Sequence, residues 1–384
     1  MRILHAIVSL DPDRGGPPRS THSLCVALAR SGAEVRLLTA DVRGWPQTAL
    51  QRSRAGAGSM EVVCAAGADY VRQGRSLLDW ADIVHMQSVW KLRHAMLAAA
   101  CRQKGVPYIL APRGELDVWS MQQKAWKKRA FMAGFGRRMI RHAAALHLLN
   151  EDEAKGVDAL GISHRRFVVP NGIDVSEWQS PSPEPPLRQQ YPQIGSRTVV
   201  LFFARMHRKK GGALLAQAFA TIAAEHPDSF LIFAGPDYGE KGRIERILAS
   251  GGLSSRSLVL DAQSGERRRR LLMDADIVSL PSFQEGHPRV VLEAALLGKS
   301  LLISRECHVP ELIDSGAAEV VELSVDGVAN GLARLLDDPS RRRDQGARAA
   351  EVVLSQYTWP IVAQRQMEVY RELLMTGGSG RVEG

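Results

Sequence analysis

The sequence contains only four cysteines, and none of them belongs to a CxxC pair or lies at metal-ligand spacing from a histidine. They are scattered along 384 residues as Cys25, Cys64, Cys101 and Cys307. This pattern predicts neither a disulfide framework nor a zinc site, and it is typical of a protein that folds in a reducing cytoplasm. We expect no bound metal and, more generally, no cofactor.

Long apolar segments are also lacking, since no run of about 18 apolar residues occurs in the chain. We therefore expect no segment that spans a membrane. The N-terminal residues MRILHAIVSLDPDRGG begin with a strand-like pattern and lack the apolar stretch and the cleavage site of a signal peptide. Both absences predict a cytoplasmic protein.

Two common nucleotide-binding motifs are missing as well. Residues 298–300, GKS, resemble the end of a P-loop, but that motif requires a glycine at the position of Glu293. No GxGxxG motif follows the first strand-like segment, which disfavours the usual NAD-binding fold. P-loop GTPases and kinases are thereby excluded.

The composition is that of a globular protein with an excess of positive charge. A chain of 384 residues with 45% hydrophobic and 24% charged residues fits two domains of roughly 150 to 200 residues each. The 50 Lys and Arg against 41 Asp and Glu give a net charge of +9, and the segment 122–142 holds seven basic residues and no acidic one. A second cluster is Arg267–Arg270. A phosphate-rich ligand, an anionic lipid or a nucleic acid would each complement this charge.

Short apolar segments alternate with amphipathic segments of helix length. The predicted strands are RILHAIVSL, EVRLLTA, DIVHMQ, PYILAPR, ALHLLN, RFVVPN, TVVLFFAR, SFLIFAG, SLVLDA, DIVSLPS, KSLLIS and AEVVEL. This alternation is typical of the doubly wound α/β class, in which helices cover parallel sheets. The prolines of QSPSPEPPLRQQYPQ interrupt it. The sequence thus predicts an N-terminal domain (1–175), a linker (176–195), a C-terminal domain (196–355) and a closing helix (356–376) that packs toward the N-terminal domain.

Open α/β sheets bind their ligands at the carboxyl ends of the strands. After the first strand, Gly15 and Gly16 form a tight turn into a helix whose N-terminus suits a phosphate, with a simple glycine turn as the alternative. After the first strand of the C-terminal domain, Arg205 and Lys210 precede a Gly-Gly turn. A planar guanidinium fork and a point charge suit a diphosphate, although a solvated basic loop would have the same composition.

Seven segments follow one another along the chain: GGPPRSTHSLCVALARSGAEVRLLTA, DIVHMQSVW, APRGELDVWS, VVPNGID, LFFARMHRKKGG, LIFAGP and PSFQEGHPRVVLEAALLGKSLLIS. Their order and spacing resemble those of the family 4 glycosyltransferases of the GT-B fold, from Met1 to about Tyr370. The resemblance implies two Rossmann-like domains that face each other across a cleft. It also implies an enzyme of the hexosyltransferase class that transfers a sugar from a nucleotide diphosphate sugar, with retention of configuration and without a metal ion.

The resemblance assigns roles to Glu285 and Glu293, which stand in the family's E-x7-E pattern. Glu293 would accept hydrogen bonds from the ribose, and Glu285 would lie near the transferred sugar. Together with Arg205 and Lys210, which would neutralise the leaving diphosphate, Glu285 is an expected catalytic residue. A helical separation of about 12 Å is too long for a glycosidase pair, whose carboxylates lie roughly 5 to 9.5 Å apart. The alternative is that Glu285 caps a helix and Glu293 faces water.

The expected donor site also includes Gly16, Gly286 and His287. Many family members read E-x-F-G at this point, whereas this chain has Pro288, which lacks an N–H group. Only the amides of Gly286, His287 and Arg289 then remain as backbone donors. His287 either contacts the sugar or fills the edge of the cleft.

On the N-terminal side of the cleft, Arg113 replaces a histidine that many relatives carry, and we expect it to serve as a charge contact. His85 is a second candidate there, with a packed strand-end histidine as the alternative. The pattern APRGELDVW resembles transferases that build bacterial surface polysaccharides on lipid carriers, so we expect a glycan or lipid-linked acceptor. The basic segment 122–142 then suits the inner face of the cell membrane.

Two other functions fit parts of the sequence. A sugar-nucleotide epimerase or a phosphorylase would use the same GT-B fold. A nucleic-acid-binding protein would use the basic clusters but would leave Glu285 and Glu293 unexplained, so we expect no nucleic acid partner.

Overall fold

The computed structural model describes residues 1–11, 16–45, 53–55, 57–116, 120–121 and 125–377. The chain divides into two compact units, one formed by Met1–Gly172 with the C-terminal segment that begins at Trp359, and one formed by Ile173–Thr358. Each unit contains a sheet of mostly parallel strands with helices packed against it. The predicted doubly wound α/β class is confirmed.

The first unit contains a sheet of eight strands in the order β3-β4-β2-β1-β5-β6-β7-β8. These strands are β1 (Arg2–Ala6), β2 (Glu34–Thr39), β3 (Ser53–Ala55), β4 (Gly58–Cys64), β5 (Ile83–Gln87), β6 (Tyr108–Ala111), β7 (Ala145–Leu148) and β8 (Arg166–Val168). Only β3 and β4 pair in an antiparallel manner among these described strands. The sequence does not predict them, because β4 buries only Met60 and lacks the apolar run of a central strand.

The first unit is completed by helices on its sheet. In the described part of the chain they are Gly16–Arg30, Asp69–Leu77, Leu92–Lys104, Ala125–Phe131, Arg137–Arg141, Glu151–Ala159 and Trp359–Gly377, with a π-helical turn at Met132–Gly136. The first and last of these helices share one apolar core, to which Leu24, Leu28 and Val362 contribute buried side chains. The C-terminal helix therefore belongs to the first unit although it follows the second unit in the chain.

The second unit contains six parallel strands in the order β11-β10-β9-β12-β13-β14. They are β9 (Thr198–Phe203), β10 (Ser229–Ala234), β11 (Ser257–Leu260), β12 (Ile277–Leu280), β13 (Ser300–Ile303) and β14 (Glu319–Val320). The strand order reverses between β9 and β12, which is where open α/β sheets bind their ligands. Each of the segments predicted as strands contains a strand of one of the two sheets.

The second unit also contains short and long helices. These are Ser176–Gln179, Leu187–Gln190, Gly212–Ile222, Lys241–Ser250, Gly265–Asp274, Arg289–Leu296, Pro310–Asp314, Val325–Asp337 and Pro339–Gln356, with 3-10 turns at Pro192–Ile194, Arg208–Lys210 and Arg305–Cys307. Within the described ranges, no helix of either unit is long and apolar enough to cross a bilayer.

The segment 176–195, predicted as a linker, is instead part of the second unit. Its prolines exclude long helices, but Trp178, Leu187 and Ile194 are buried in the core of that unit. Because apolar side chains are anchored there, the unit begins at Ile173 instead of at residue 196.

Candidate functional site

The reversal of strand order brings two polar loops together. Residues 204–211 follow β9, residues 281–288 follow β12, and β9 and β12 are paired in the sheet. The first loop carries Arg205 and Lys210, and the second carries Glu285. The three residues predicted to be catalytic therefore lie in the loops that flank the ligand-binding edge of the sheet.

Gly211 allows these two loops to touch. Its φ of 71° lies in the left-handed region, and a Cβ built on it would lie 2.0 Å from the carbonyl oxygen of Pro281. Only glycine fits at such a position. The contact continues through the Phe283 N–H, which donates to the Lys209 carbonyl at 2.7 Å. Lys209 Nζ also donates to Gln284 Oε1 at 2.7 Å.

The Lys210 ammonium and the Glu285 carboxylate form an ion pair, with Nζ 2.5 Å from Oε1. Only 14% of the Lys210 side chain and 9% of the Glu285 side chain are exposed, so the pair lies largely out of water. Ser282 Oγ donates to the same Oε1 at 2.8 Å, and the Glu285 N–H donates to the Glu306 carbonyl at 3.0 Å. These extra hydrogen bonds hold both charged groups in place, and removing either charge would leave the other buried without its partner.

Arg205 lies on the exposed side of its loop, and its guanidinium stacks over the Tyr238 ring at 5.3 Å. The loop after β10 that carries Tyr238 is fixed to the β9 loop. Met206 N–H donates to the Pro236 carbonyl at 2.9 Å, and Tyr238 N–H donates to the Met206 carbonyl at 3.0 Å. Considering the described residues, no carboxylate pairs with Arg205. A guanidinium in this setting is suited to bind a phosphate.

Glu293 lies in the helix that begins at Arg289, and none of its side chain is exposed. Its carboxylate pairs with the guanidinium of Arg268 and, at 3.3 Å, with that of Arg289. The Arg268 guanidinium in turn lies 5.5 Å from the Trp178 ring centroid and 5.7 Å from that of Phe203. Glu293 is therefore a buried carboxylate whose charge is compensated by two arginines.

The structure corrects the simpler interpretation of the two glutamates. Glu285 does not cap a helix, since the helix begins at Arg289 with Pro288 as its N-cap residue and no side chain caps it. Glu293 does not face water. Residues 285–288 are not helical, so the helical rise of about 12 Å does not describe the separation of the two carboxylates.

His287 lies in the interior of the second unit and not at an exposed edge. Only 7% of this residue is exposed, and its ring centroid lies 5.3 Å from that of Tyr357. The Tyr357 hydroxyl donates to the Glu311 carboxylate. The imidazole of His287 is therefore a packing element beside Tyr357.

In the first unit, Gly16 is the first residue of its helix, and a Cβ built on it would meet no atom within 4 Å. The helix N-terminus predicted to receive a phosphate is thus open at Gly16, as far as the described residues extend. Gly15, the other glycine of the predicted turn, lies outside the described residues.

His85, predicted as a cleft residue, is part of the core of the first unit. Its Nδ1 lies 2.6 Å from the Tyr370 hydroxyl, and its Nε2 lies 3.2 Å from Nδ1 of His147. Burial lowers the pKa of His85 well below its ordinary value, so the ring is neutral at pH 7. The contacts agree with the alternative, a packed histidine, because every residue of β5 is buried, including His85.

Arg113 follows β6 with a φ of 54°, a left-handed value that is unusual for a residue with a side chain. Its Nε donates to Gln87 Oε1 at 2.8 Å, and its Nη1 donates to Asn171 Oδ1 at 2.9 Å. Burial lowers the pKa of Arg113 to about 10, which leaves it charged at pH 7. Both of these partners are neutral amides, so the guanidinium is suited to meet an anionic group.

Sequence reasoning missed a group of polar residues at the edge of the first sheet where Arg113 lies. Ser88, which follows β5 with a φ of 89°, donates through Oγ to both carboxylate oxygens of Glu115 at 2.7 and 2.8 Å. The Val89 N–H also donates to Glu115, at 2.8 Å, and burial raises the pKa of this carboxyl group. Left-handed backbone at such positions is frequent in functional sites. The sequence feature that could have indicated this group is that Ser88 and Glu115 lie shortly after two predicted strands.

Two family models match the chain. Residues 15–172 match the glycosyl transferase 4-like domain, and residues 184–352 match the glycosyl transferases group 1 domain. The first match falls within the first compact unit, and the second match falls within the second.

Individual relatives give the same picture. The chain is 30% identical over 208 residues to the lipopolysaccharide 1,2-N-acetylglucosaminetransferase of Salmonella typhimurium, which is 52% of this chain and 54% of that protein. It is 28% identical over 228 residues to the D-inositol 3-phosphate glycosyltransferase of Corynebacterium kroppenstedtii, which is 56% of this chain and 49% of that protein. The chain thus spans about half the length of these curated relatives. The crystal structure of Anabaena HepE in complex with UDP has a similar fold, with a TM-score of 0.77 and 20% identity over 97% of this chain and 100% of that chain.

Proposed function

Because the chain belongs to the GT-B glycosyltransferases, whose two characteristic domains it contains, we propose that it transfers a sugar from a nucleotide diphosphate sugar to a glycan or lipid-linked acceptor. The bond between the anomeric carbon and the diphosphate breaks, and its electron pair leaves with the diphosphate. The acceptor hydroxyl forms the new C–O bond with retained configuration, and its proton passes to the departing diphosphate. The observation that carries this proposal is the Lys210–Glu285 pair beside Arg205 at the reversal of strand order.

In this proposal, Arg205 and Lys210 bind the diphosphate. The diphosphate gains negative charge as the sugar leaves, so cations directed at it stabilise the transition state more than the bound donor. The stacked guanidinium of Arg205 offers a planar fork for phosphate oxygens. The Lys210 ammonium has three N–H donors, so it can keep its bond to Glu285 and still donate to a phosphate.

The two glutamates contact different parts of the donor. Oε1 of Glu285 accepts from Lys210 and Ser282, and in the described structure Oε2 accepts no further bond, so we assign Oε2 to hydroxyls of the transferred sugar. We assign Glu293 to the ribose hydroxyls, which reach its buried carboxylate when the partly exposed Arg268 side chain moves aside. A carboxylate with about four lone-pair sites can then accept from these hydroxyls and still pair with an arginine.

Backbone amides complete the proposed donor site. In the second unit, the amides of Gly286 and His287 can bind phosphate oxygens of the donor, since amide dipoles directed at an anion stabilise it. In the first unit, the helix N-terminus at Gly16 offers a separate contact of the same kind for an anion. We assign Arg113, in the first unit, to an anionic group of the acceptor, because it carries a charge that its amide partners do not neutralise.

The acceptor side is proposed to work at a membrane surface. The described part of the basic segment exposes 71% of Trp126 and 51% of Phe135 among its lysines and arginines. Amphipathic aromatic residues combined with basic residues favour the interface of an anionic bilayer. A role in surface polysaccharide synthesis is supported by similarity to a protein named as a lipopolysaccharide transferase.

Product analysis tests the proposed reaction. UDP-, GDP- and ADP-sugars are first screened for thermal stabilisation of the chain, beginning with UDP-glucose because HepE crystals contain it. The stabilising donor is then incubated with extracted lipid-linked glycans, and the anomeric configuration of the product is determined by NMR. A glycoside with the configuration of the donor is expected. Isomerised sugar nucleotide from donor alone, or a sugar phosphate formed with inorganic phosphate, would show an epimerase or a phosphorylase instead.

A further inference from the structure

A cavity of about 720 Å³ lies beside the basic segment of the first unit. Its apolar lining includes Leu116, Met121, Met132, Ala133 and Leu160. The helices Ala125–Phe131 and Glu151–Ala159 contribute residues to it, together with the π-helical turn between 132 and 136. Its volume falls within the range of roughly 300 to 1,000 Å³ that is usual for small-molecule sites. The proposed transferase site leaves this cavity unused.

The cavity is apolar inside and cationic at its opening. Arg129 and Arg137 are exposed residues and are the charged side chains among the described residues of its lining. Neither forms an ion pair with a carboxylate in the described ranges. The whole segment 122–142 contains no acidic residue, so an anion placed between these guanidiniums would meet no repulsion from it.

The surroundings of the cavity favour a lipid over a soluble metabolite. Trp126 and Phe135 are exposed on the same helical segment, and Lys127 Nζ lies 5.3 Å from the Trp126 ring centroid. A membrane contact through these side chains would hold the cavity opening against the headgroups, where hydrocarbon chains are within reach. An apolar cavity next to such a contact can receive one chain and bury its CH₂ groups.

We propose that this cavity binds the hydrocarbon chain of a lipid phosphate, and that Arg129 and Arg137 bind its phosphate group. The inference rests on the proposed membrane contact and makes it more specific. In addition to a general electrostatic attraction to the membrane, the first unit would have a binding site for one lipid molecule. Such a lipid would be held by the same unit to which the acceptor is assigned.

Decyl phosphate, kept below its critical micelle concentration, is a suitable probe for calorimetric titration of the full chain. We expect one molecule to bind per chain, decanol to bind about tenfold or more weakly, and inorganic phosphate to show no saturation. The double variant Arg129→Gln, Arg137→Gln should bind decyl phosphate about tenfold or more weakly, because charge-assisted hydrogen bonds are lost. Its affinity for decanol should be unchanged. The matched control is Arg138→Gln, an exposed neighbour that does not line the cavity.

Filling the cavity tests the hydrocarbon part of the site. Ala133→Trp should lower the affinity for decyl phosphate and for decanol by similar factors. Ala130→Trp, on the exposed surface outside the lining, should change neither affinity. If circular dichroism shows that Ala133→Trp does not fold, Ala159→Phe fills the same cavity. Unchanged affinity in a folded cavity variant, or several bound molecules per chain, would overturn the proposal. So would a concentration-dependent dimer that Ala133→Trp abolishes, since a second copy would then cover the cavity.

The experiment separates this inference from the proposed function. If vesicle binding and sugar transfer are intact but the cavity variants bind decyl phosphate normally, the lipid site is wrong and the transferase proposal stands. If decyl phosphate binds as expected but no sugar nucleotide is turned over, the transferase proposal fails and the lipid site remains.

Discussion

Lys210 and Glu285 are separated by 75 residues in the sequence, yet Nζ of the lysine lies 2.5 Å from Oε1 of the glutamate. The pair joins the loop after β9 to the loop after β12, and Ser282 supports it from the second loop. In the proposed reaction, protein groups already hold the ammonium in place before the diphosphate departs, and preorganised charges of this kind stabilise a transition state most effectively. The pair therefore links the packing of the sheet edge to the proposed chemistry.

The glycine beside this pair gives the first prediction. Gly211→Ala should destabilise the second unit by more than the cost of about 1 to 2 kcal/mol for a left-handed alanine, because its Cβ would meet the Pro281 carbonyl. The displaced loop should also lower the rate of sugar transfer. Gly252→Ala is the matched control, since Gly252 has a φ of 68° but no atom within 4 Å of a built Cβ. If Gly211→Ala and Gly252→Ala lose the same stability in urea unfolding and have the same turnover, the contact between the two loops is unimportant.

The second prediction concerns Arg205 and metal dependence. Arg205→Ala should lower kcat about tenfold or more, because the leaving diphosphate loses a charged partner, and Arg205→Lys should lie between this variant and the wild type. Arg208→Ala, an exposed neighbour, should change kcat less than about twofold. Where the structure describes the chain, no cluster of His, Cys, Asp or Glu side chains could hold a metal ion. Because Arg205 and Lys210 are proposed to neutralise the leaving diphosphate in place of a divalent ion, activity should survive EDTA, and a complete loss that Mg²⁺ or Mn²⁺ restores would contradict this.

The fold was largely predictable because strand signals are local. Runs such as those of β9 and β10 contain enough apolar residues to be recognised without any knowledge of their neighbours. The strands β3 and β4, at one end of the first sheet, lack such runs, since their stability depends on pairing with β2 and with each other. The segment 176–195 was predicted as a linker for a related reason, because single apolar residues between prolines show no periodicity until the core that receives them is known.

The site was predictable in residue type but not in its pairing. The sequence indicates Arg205, Lys210 and Glu285 through their positions after strands, but only the order of the sheet shows that Lys210 meets Glu285. The pairing of Glu293 with Arg268 was missed, because nothing in the sequence connects the arginine cluster with a carboxylate 25 residues further along the chain. His85 was assigned to a cleft, although nothing local distinguishes a buried strand-end histidine from an exposed one.

The third prediction concerns the membrane surface. Replacing Lys127, Lys128 and Arg129 by serine should weaken binding to anionic vesicles at low salt about tenfold or more, since each basic residue near the surface contributes about 1 kcal/mol. The control variant replaces three exposed arginines of the second unit by serine: Arg246, Arg343 and Arg348. Vesicle sedimentation should show near-normal binding for this control. Equal losses in both variants would mean that net charge alone, and not the segment 122–142, attracts the chain.

The fourth prediction is a loss of stability in acid. His94 is buried, its Nδ1 donates to the Ser88 carbonyl at 3.0 Å, and burial lowers its pKa to about 4. Between that value and an unfolded pKa of about 6.5, only the unfolded chain binds the proton, so stability falls as the pH falls through this window, by up to about 1.4 kcal/mol per pH unit. The slope of the unfolding free energy against pH measures how many more protons the unfolded chain binds than the folded chain. Between pH 6 and 5, His94→Gln should lower this slope by the equivalent of about one proton. The slope between pH 7 and 8 should be unchanged, and an unaltered slope below pH 6 would exclude this role for His94.

The last prediction separates the roles of the two glutamates. Glu293 is assigned to the ribose, a part of the donor that does not change during the reaction, so Glu293→Ala should mainly raise the donor KM. A charged hydrogen bond is worth roughly 1.5 to 3 kcal/mol, which corresponds to about ten- to a hundredfold in affinity. Because this change also leaves Arg268 and Arg289 without their common partner, we expect a lower melting temperature for the variant.

Glu285 should behave differently, because it is assigned to the sugar whose charge changes as the bond to the diphosphate breaks. Glu285→Ala should lower kcat more than it raises KM, and it should also weaken the hold on Lys210. Glu322→Ala, at an exposed position of the same unit, is the control and should keep both constants within about twofold. Both constants are measured at a temperature where circular dichroism shows each variant folded. Near-normal kcat and KM in both glutamate variants would mean that these carboxylates only stabilise the fold, and the donor site would have to be sought elsewhere.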